Sequence, residues 1–294
     1  MAKAKQIGKT NNILKWVLFA LLLMYFITLV FPLLWVLMTS VKSGSEYMYG
    51  ENFIGFPKEF TLGNFVTAWI NGNVDAEIDG ITMSVTIPEQ FLNSVLYAGG
   101  CMLTATFIPC ITAYAVARYK YRFGKVVYTI VIVAMILPIV GSLPSEIQMT
   151  RALGLYDTFW GLWILKANFL GIYFLVFHAQ FKMLPYDYTE AAKIDGASNP
   201  RIMFSVILPL AKGTIFTVML LTFVQFWNDY QIPMVYIPSH PVAAYGMFQF
   251  NQRPTSDVPT KIAYMLIVAL PIIVVFVAFH KRLMTNLTVG GIKA

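Results

Sequence analysis

Residues 190–209 read EAAKIDGASNPRIMFSVILP, a polar stretch set into a chain that is otherwise built for lipid. Glu190, Lys193, Asp195 and Arg201 fall within this short interruption between two apolar runs. Asp187 and Glu190 are spaced like the two ends of a capping box just after Pro185, with Asp in place of the usual Ser or Thr. That spacing predicts a helix of about two turns running toward Asp195, with Gly196 as its C-terminal cap. Asn199 and Pro200 predict a second start, the asparagine as cap and the proline at the first helical position. The second helix runs through RIMFSVILPL toward the membrane, and Pro209 is expected to kink or end it. Ala191, Ala192, Gly196 and Ala197 give the first helix a small-residue surface, with Ala192 and Gly196 one turn apart. Such a surface lets another chain approach the backbone closely, and Glu190 and Asp195 add charge at its edges. A plain interfacial helix joining two spans fits the same residues at least as well.

Composition sets the frame around that stretch. The chain has 294 residues, 58% hydrophobic and 12% charged, against about 25% charged in an ordinary soluble domain. The deficit and the long uncharged runs point to a polytopic membrane protein. Cys101 and Cys110 lie in one apolar segment, and roughly 13 Å of helical rise between them forbids a disulfide. They read as packing residues. After Lys3, Lys5, Lys9 and Lys15, the run Trp16 to Met38 carries no charge. It is longer than a signal-peptide core and no small-x-small cleavage site follows closely, so it reads as an uncleaved first span.

Further apolar segments lie at about 91–117, 126–145, 158–181, 202–227 and 262–280. Lys and Arg in the connections set the orientation. One side holds Lys3, Lys5, Lys9, Lys15, Arg118, Lys120, Arg122, Lys125, Lys182, Lys193, Arg201, Lys212, Lys281, Arg282 and Lys293. The other has only Lys42, Lys58, Arg151, Arg253 and Lys261, and Lys166 sits within a span. The expectation is an all-α polytopic protein of six transmembrane helices with both termini in the cytoplasm. The same asymmetry accounts for most of the net charge of +7, so nucleic acid need not be invoked.

The expected organisation is a tail and first span over 1–38, an extracytoplasmic segment over 39–90, a core over 91–281 and a cytoplasmic tail over 282–294. Segment 39–90 carries Glu46, Glu51, Glu59, Asp75, Glu77, Asp79 and Glu89 against two lysines, with many aromatics. A connection of this length is expected to fold, and NFVTAWING suggests a short amphipathic helix ended by Gly72. A docking surface for an external partner and a cap over the bundle are both open readings, and one segment can do both.

The order Glu190-Ala191-Ala192, three residues, Gly196, nine residues, then Val206-x-Leu208-Pro209 resembles the EAA loop of ABC importer permeases. The family usually has Ile where Val206 stands. The string YTEAAKIDGASNPRIMFSVILPL most resembles the carbohydrate-importer branch and its smaller, maltose-permease-like subunit. FLNS (91–94), AYAVARYKYRFGK (113–125), LGLYDT (153–158) and FWNDY (226–230) match in the same order, so the resemblance covers roughly residues 90 to 294.

The resemblance implies a type I ABC importer transmembrane fold in a prokaryotic inner or plasma membrane, with the coupling loop at about 185–209. It implies that Glu190, Ala191, Ala192, Asp195 and Gly196 meet a separate ATP-hydrolysing subunit, and that Gly290 and Gly291 in the tail are secondary contacts. Fraying is the competing reading of that tail. No GxxxxGK[ST] loop is present, so the chain is not expected to hydrolyse ATP: it binds no cofactor or metal, and ATP and Mg belong to the partner. The implied partners are the ATPase dimer, a second homologous permease subunit, an extracytoplasmic solute-binding protein and lipid. Segment 39–90 is the candidate for meeting the binding protein.

For the transport path, polar groups inside spans are costly unless they face a cavity or partner. Lys166 and Asn168 in the fourth span, and Gln225, Asn228 and Asp229 at the end of the fifth, are the candidates, with Trp227 and Tyr230 offering aromatic faces to sugar rings. Lys166 snorkelling outward, and Asn228 with Asp229 capping the fifth helix, are the structural alternatives. His178 and Gln180 read as interfacial. An ion-coupled secondary transporter would need a carboxylate at a span centre, and none is there. HExxH, paired intramembrane Asp and Ser-Lys patterns of membrane enzymes are also missing from the sequence. An importer for another solute class stays open, because the preference for sugars rests on the resemblance.

Overall fold

In lipid no water satisfies the backbone, so an apolar run must close its own hydrogen bonds as a helix. The computed structural model describes residues 2–50, 52–78, 80–119, 121–137 and 141–287. In chain order, α1 (Ala2–Ser40), α2 (Gly44–Met48) and α3 (Gly63–Asn71) come first, followed by β1 (Val74–Ile78) and β2 (Ile81–Val85). Next are α4 (Ile87–Arg118), α5 (Arg122–Ile136), α6 (Leu143–Ala152), α7 (Phe159–Lys166) and α8 (Ile172–Met183). Then come α9 (Asp187–Ile194), α10 (Asn199–Ile202), a π-helical turn over Met203–Ile207 and α11 (Leu208–Leu210). The remaining helices are α12 (Lys212–Trp227), α13 (Gln231–Tyr236), α14 (Ala243–Asn251) and α15 (Val258–Leu287). Among the described residues, parts of α1, α4 and α15 are single helices long and apolar enough to cross a membrane. A bent pair, Asn199–Leu210 with Lys212–Trp227, gives a fourth candidate.

Three sequence expectations need amendment. The fold is mostly rather than entirely helical, because β1 and β2 form an antiparallel hairpin in register Val74↔Val85 to Ile78↔Ile81. VDAEI and ITMSV carry β-branched residues, Val74 and Ala76 are buried while Asp75 and Glu77 are exposed, and Gly80 turns the chain at φ +78°. Segment 126–145 is helical in α5 only to Ile136, and a separate helix, α6, begins at Leu143. Segment 158–181 is broken between α7 and α8: the Leu170 amide donates to Asn168 Oδ1 (3.2 Å) instead of continuing the helical ladder. The fifth segment, by contrast, bends as Pro209 predicts: by 76° at Ala211, two residues after the proline, whose ring removes a helical donor.

The chain divides into two compact units. The first is Met1–Gly72 with Phe250–Ile267. Lys42 is fully buried there, its Nζ donating to the carbonyls of Asn52 (2.8 Å) and Phe53 (3.4 Å). Burial pushes its pKa below the ordinary lysine value. Asn64 Nδ2 donates to the carbonyls of Ser40 (2.8 Å) and Lys42 (2.7 Å), which ties α3 to the end of α1. The Glu46 carboxylate accepts the Lys58 amide (2.9 Å) and the Glu59 amide (3.3 Å). Those bonds, the Lys58 amide first, hold its pKa below the usual carboxylate range. The NFVTAWING stretch forms α3, with Gly72 as its C-cap.

The second unit is Asn73–Gln249 with Val268–Ala294, and α4 is its central helix, packed on α7, α8 and α12. Thr86 starts α4: its amide (2.7 Å) and its hydroxyl (3.0 Å) both donate to Glu89 Oε2. One apolar cluster gathers Tyr97, Cys101, Leu162, Phe226 and Trp227. The other gathers Cys110, Tyr114, Phe177, Phe181, Ile202 and Ile207. The two cysteines are thus buried packing residues, free rather than bridged. Gly100 lets α4 and α7 approach closely, because a Cβ there would overlap the Trp163 ring, whose Nε1 donates to the Leu96 carbonyl (3.1 Å).

Candidate functional site

The polar stretch around residues 190–209 forms two short helices, α9 and α10, joined by a tight turn. Leu184 leaves α8 in extended backbone, and α9 starts after Tyr186. Asp187 is therefore the first helical residue rather than the cap, and the expected capping box does not form. The cap position is fixed instead by tertiary contacts of Tyr186. Asp187 and Glu190 remain in the first turn, where negative charge favours the helix N-terminus. At the other end the Gly196 amide donates to the Lys193 carbonyl and the Ala197 amide to the Ala192 carbonyl, each at 3.0 Å. This is a Schellman cap, and Gly196 takes φ +76° to make it, as the sequence predicts. Ser198, not Asn199, precedes α10, so the second start moves by one residue.

Arg118, the last residue of α4, grips the start of this element. Its Nη1 donates to the Leu184 carbonyl (3.0 Å) and its Nη2 to the Pro185 carbonyl (3.1 Å). The guanidinium lies over the Tyr186 ring (5.1 Å), and the Tyr186 hydroxyl donates back to the Arg118 carbonyl (3.1 Å). Arg118 is 5% exposed, so these bonds are formed away from water. Ala192 packs into the apolar cluster with Phe177, Phe181, Ile202 and Ile207, which fixes the opposite side of α9. The helix is thus held rigidly on α4 and α8 rather than hanging from a loop.

Of the five expected docking residues, Glu190, Ala191, Asp195 and Gly196 are exposed on this anchored helix. Ala192 is turned inward, because the small-residue face of α9 is shared between the chain's own core and the outside. Gly290 and Gly291 lie outside the described residues. Sequence reasoning missed Ile194, which is 86% exposed beside Lys193 and Asp195, and the neighbouring exposed Tyr188. An isoleucine inside an otherwise polar helix was the available signal. It also missed Arg118, whose partners lie 66 to 68 residues away.

The transport-path candidates separate into engaged and unengaged groups. Trp227 is buried, stacks near Phe91 and donates to the Val268 carbonyl (3.3 Å). Asp229 accepts the hydroxyl of fully buried Tyr97 (2.8 Å) and the amides of Gln231 (3.1 Å) and Ile232 (3.2 Å). Tyr230 stacks on Phe248 with ring centroids 4.5 Å apart. Asn228 is exposed, with its side chain turned back to the Val224 carbonyl (2.9 Å). Gln225 is exposed on α12, Lys166 is half-buried at the end of α7, and Asn168 sits exposed in the break that follows. His178 and Gln180 are both on α8, with His178 against the Tyr128 ring (4.8 Å).

The Tyr97–Asp229 bond predicts that Tyr97→Phe lowers stability by about 2 kcal/mol, the value of a hydrogen bond to a charged acceptor. Thermal unfolding of the purified complex should show the loss, with the solute preference unchanged. Beyond the expected set, Tyr236 donates to Glu146 Oε2 (2.8 Å), which joins α6 to α13. Hydrogen bonds from Ser142 and Tyr236, with the charge of Lys166, hold the Glu146 pKa below the usual carboxylate range. Asp157, at φ 57°, donates its amide to the Tyr236 carbonyl (2.8 Å) and accepts the Ser239 amide (3.1 Å). Thr158 then caps α7 through the Gly161 amide (3.1 Å), so LGLYDT is a turn-and-cap element.

The described residues form a mostly helical membrane protein with several apolar segments and a short polar helix anchored between two of them. The chain belongs to the family of binding-protein-dependent transport system inner membrane components, whose pattern matches residues 105–287. It is accordingly the inner-membrane permease component of an ABC importer, a class that works with a separate ATPase and a binding protein, and is not itself the ATPase. It is similar to the diacetylchitobiose uptake system permease protein NgcG of Streptomyces coelicolor, at 25% identity over 92% of this chain and 86% of that one. The trehalose transport system permease protein SugB of Mycobacterium tuberculosis is 28% identical over 89% and 92%. The probable starch degradation products transport system permease protein AmyC of Thermoanaerobacterium thermosulfurigenes is 28% identical over 92% and 96%. Among solved structures, a crystal structure of a bacterial ABC transporter involved in the import of the acidic polysaccharide alginate superposes with a TM-score of 0.74. It is 20% identical and covers 92% of this chain and 97% of that one, a likeness of fold.

Proposed function

We propose that this chain is one of two homologous permease subunits of a sugar or oligosaccharide importer, and that α9 is the element through which the ATPase drives it. The observation that carries the reading is the exposed α9 held on α4 by Arg118 and Tyr186. A helix so anchored passes a displacement of the ATPase surface directly to α4, which runs through the packed unit. Glu190, Ala191, Asp195, Gly196 and Ile194 form the contact, Ala192 supports it from behind, and Gly290 and Gly291 add a secondary contact. ATP and Mg stay on the partner, and docking that differs between nucleotide states supplies the bias between inward- and outward-facing forms.

The topology in this reading has six spans with both termini cytoplasmic. Helices α5 and α7–α8 serve as the third and fourth spans despite their breaks, on the strength of the Lys and Arg asymmetry. Residues 1–38 form the tail and first span, 39–90 the extracytoplasmic segment that meets the binding protein, 91–281 the core and 282–294 the tail. Sugars are favoured because relatives across the chain's length are named for diacetylchitobiose, trehalose and starch products. Exposed Gln225, half-buried Lys166 and Asn168, whose oxygen already accepts the Leu170 amide but whose side chain is exposed, are the best placed for sugar hydroxyls, together with Asn228 on rotation. Trp227, Asp229 and Tyr230 shape the path from behind.

The test is uptake by vesicles holding this chain, its second permease subunit and the ATPase, with binding protein outside. Labelled oligosaccharide is expected to accumulate only with ATP and with all subunits present. Uptake that survives removal of the ATPase would mean an ion-coupled carrier instead. Uptake of an amino acid or phosphate but no sugar would keep the importer and replace the solute class.

A further inference from the structure

Beside the anchored helix the second unit holds a cavity of about 1050 Å³, one wall of which is the Arg118–Tyr186 clamp. Arg118, Lys125, Lys182 and His178 line it together with Tyr121 and Tyr128, and no Asp or Glu is among its lining residues. Lys125 and Lys182 are exposed, and among the described residues neither has a carboxylate partner. Arg118 forms a buried part of the wall, its two terminal nitrogens committed to Leu184 and Pro185 and its Nε without a hydrogen-bond partner. Uncompensated positive charge around a space of this size matches an anion, and the tyrosines suit the membrane interface, with apolar bodies and polar tips.

What lies next to the cavity decides between a soluble anion and a lipid. Helix α5 carries Gly124, Lys125, Tyr128 and Thr129 into the cavity lining. On its adjoining face Phe123, Val126, Ile130 and Val133 stand exposed, between about half and three-quarters open to the surroundings. The ten residue steps of helix from Phe123 to Val133 rise about 15 Å, which is half of a hydrocarbon core about 30 Å thick. A headgroup site therefore opens onto an apolar track one leaflet long. We propose that this cavity binds the phosphodiester headgroup of an anionic phospholipid of the inner leaflet, with an acyl chain along α5. Basic pockets at the cytoplasmic ends of spans are suited to such headgroups. The proposal rests on the topology given above, which places this end of α4 in the cytoplasm. The lipid would sit against Arg118 and so beside the clamp on α9.

The experiment uses the whole transporter, incorporated into vesicles of phosphatidylethanolamine and phosphatidylglycerol or of phosphatidylcholine alone, then extracted mildly and weighed intact by mass spectrometry. The wild-type complex is expected to retain phosphatidylglycerol, and Lys125→Gln/Lys182→Gln to retain roughly thirtyfold less, from the loss of two near-surface charges. Lys125→Arg/Lys182→Arg should behave as wild type. Equal retention by the wild type and the glutamine variant would overturn the proposal, as would displacement of the lipid by inorganic phosphate, which would mark a soluble-anion site. A cross-link from Lys125→Cys to the ATPase subunit would overturn it too, since protein would then fill the cavity. Labelling of Lys125→Cys by an impermeant thiol reagent in inverted vesicles supports the inner-leaflet assignment. Labelling only from outside would instead refute the topology, independently of whether lipid is retained.

Discussion

Uptake by the assembled transporter is expected to fall at least tenfold with Glu190→Ala and to be abolished with Gly196→Asp, while the complex still assembles. Glu190 is exposed in the first turn of α9, where its carboxylate favours the helix N-terminus and reaches outward. Truncating one side of a desolvated charged contact between proteins costs about 2–5 kcal/mol. Reversing a two-state equilibrium from 1:99 to 99:1 takes about 5.5 kcal/mol of differential binding. On the role proposed for α9, loss of the Glu190 contact removes much of what nucleotide-dependent docking can supply. Gly196 acts differently: at φ +76° a side chain is strained by about 1–2 kcal/mol. A Cβ there meets no atom within 4 Å inside this chain, so the added carboxylate projects toward the docking partner rather than into the fold. The measurement pairs labelled-sugar uptake with ATP hydrolysis stimulated by the binding protein, and gel filtration checks assembly. Normal stimulated hydrolysis and normal uptake in both variants would sink the assignment of α9 as the coupling element.

The parts legible in the sequence were those encoded locally. The Gly196 cap, the α3 helix closed by Gly72 and the bend after Pro209 each follow from a residue whose backbone preferences dominate its neighbourhood. Where a local signal met a tertiary one, the tertiary one prevailed. Asp187 has the spacing of a cap, yet α9 starts after Tyr186 because that ring is held under Arg118 and its hydroxyl is bonded to α4. Ala192 reads as outward-facing with its small neighbours, and only the packing of Phe177, Phe181 and Ile207 turns it inward. The break at Asn168 was hidden because an apolar run looks the same whether its helix is continuous or interrupted. Asp229 looked available to substrate for a related reason: nothing local shows that Tyr97, 132 residues away, already occupies it.

The clamp itself supplies the second large effect: Arg118→Ala is expected to uncouple the transporter, with uptake reduced by roughly two orders of magnitude. The substitution leaves the Leu184 and Pro185 carbonyls without their charged donors and removes the cation above the Tyr186 ring. Two hydrogen bonds to a charged group are worth roughly 3–6 kcal/mol together, and Arg118 is nearly buried, so water cannot readily replace it. Helix α9 would keep its own Schellman cap but lose its fixed start on α4. A docked ATPase would then move a loose helix, and its displacement would dissipate before reaching the core. Arg118→Lys retains the charge but has no planar fork to span two carbonyls, so an intermediate loss is expected. Tyr186→Phe removes only the hydrogen bond to the Arg118 carbonyl and keeps the ring under the guanidinium, so its effect should be the smallest, about 1 kcal/mol. Hydrogen exchange over 187–194 in the purified complex should rise in the same order as uptake falls. A merely structural role would lower the thermal stability of the whole complex without that local change. Wild-type protection of 187–194 in Arg118→Ala would show that the anchoring lies elsewhere, and the two milder variants keep the comparison readable if the alanine form fails to assemble.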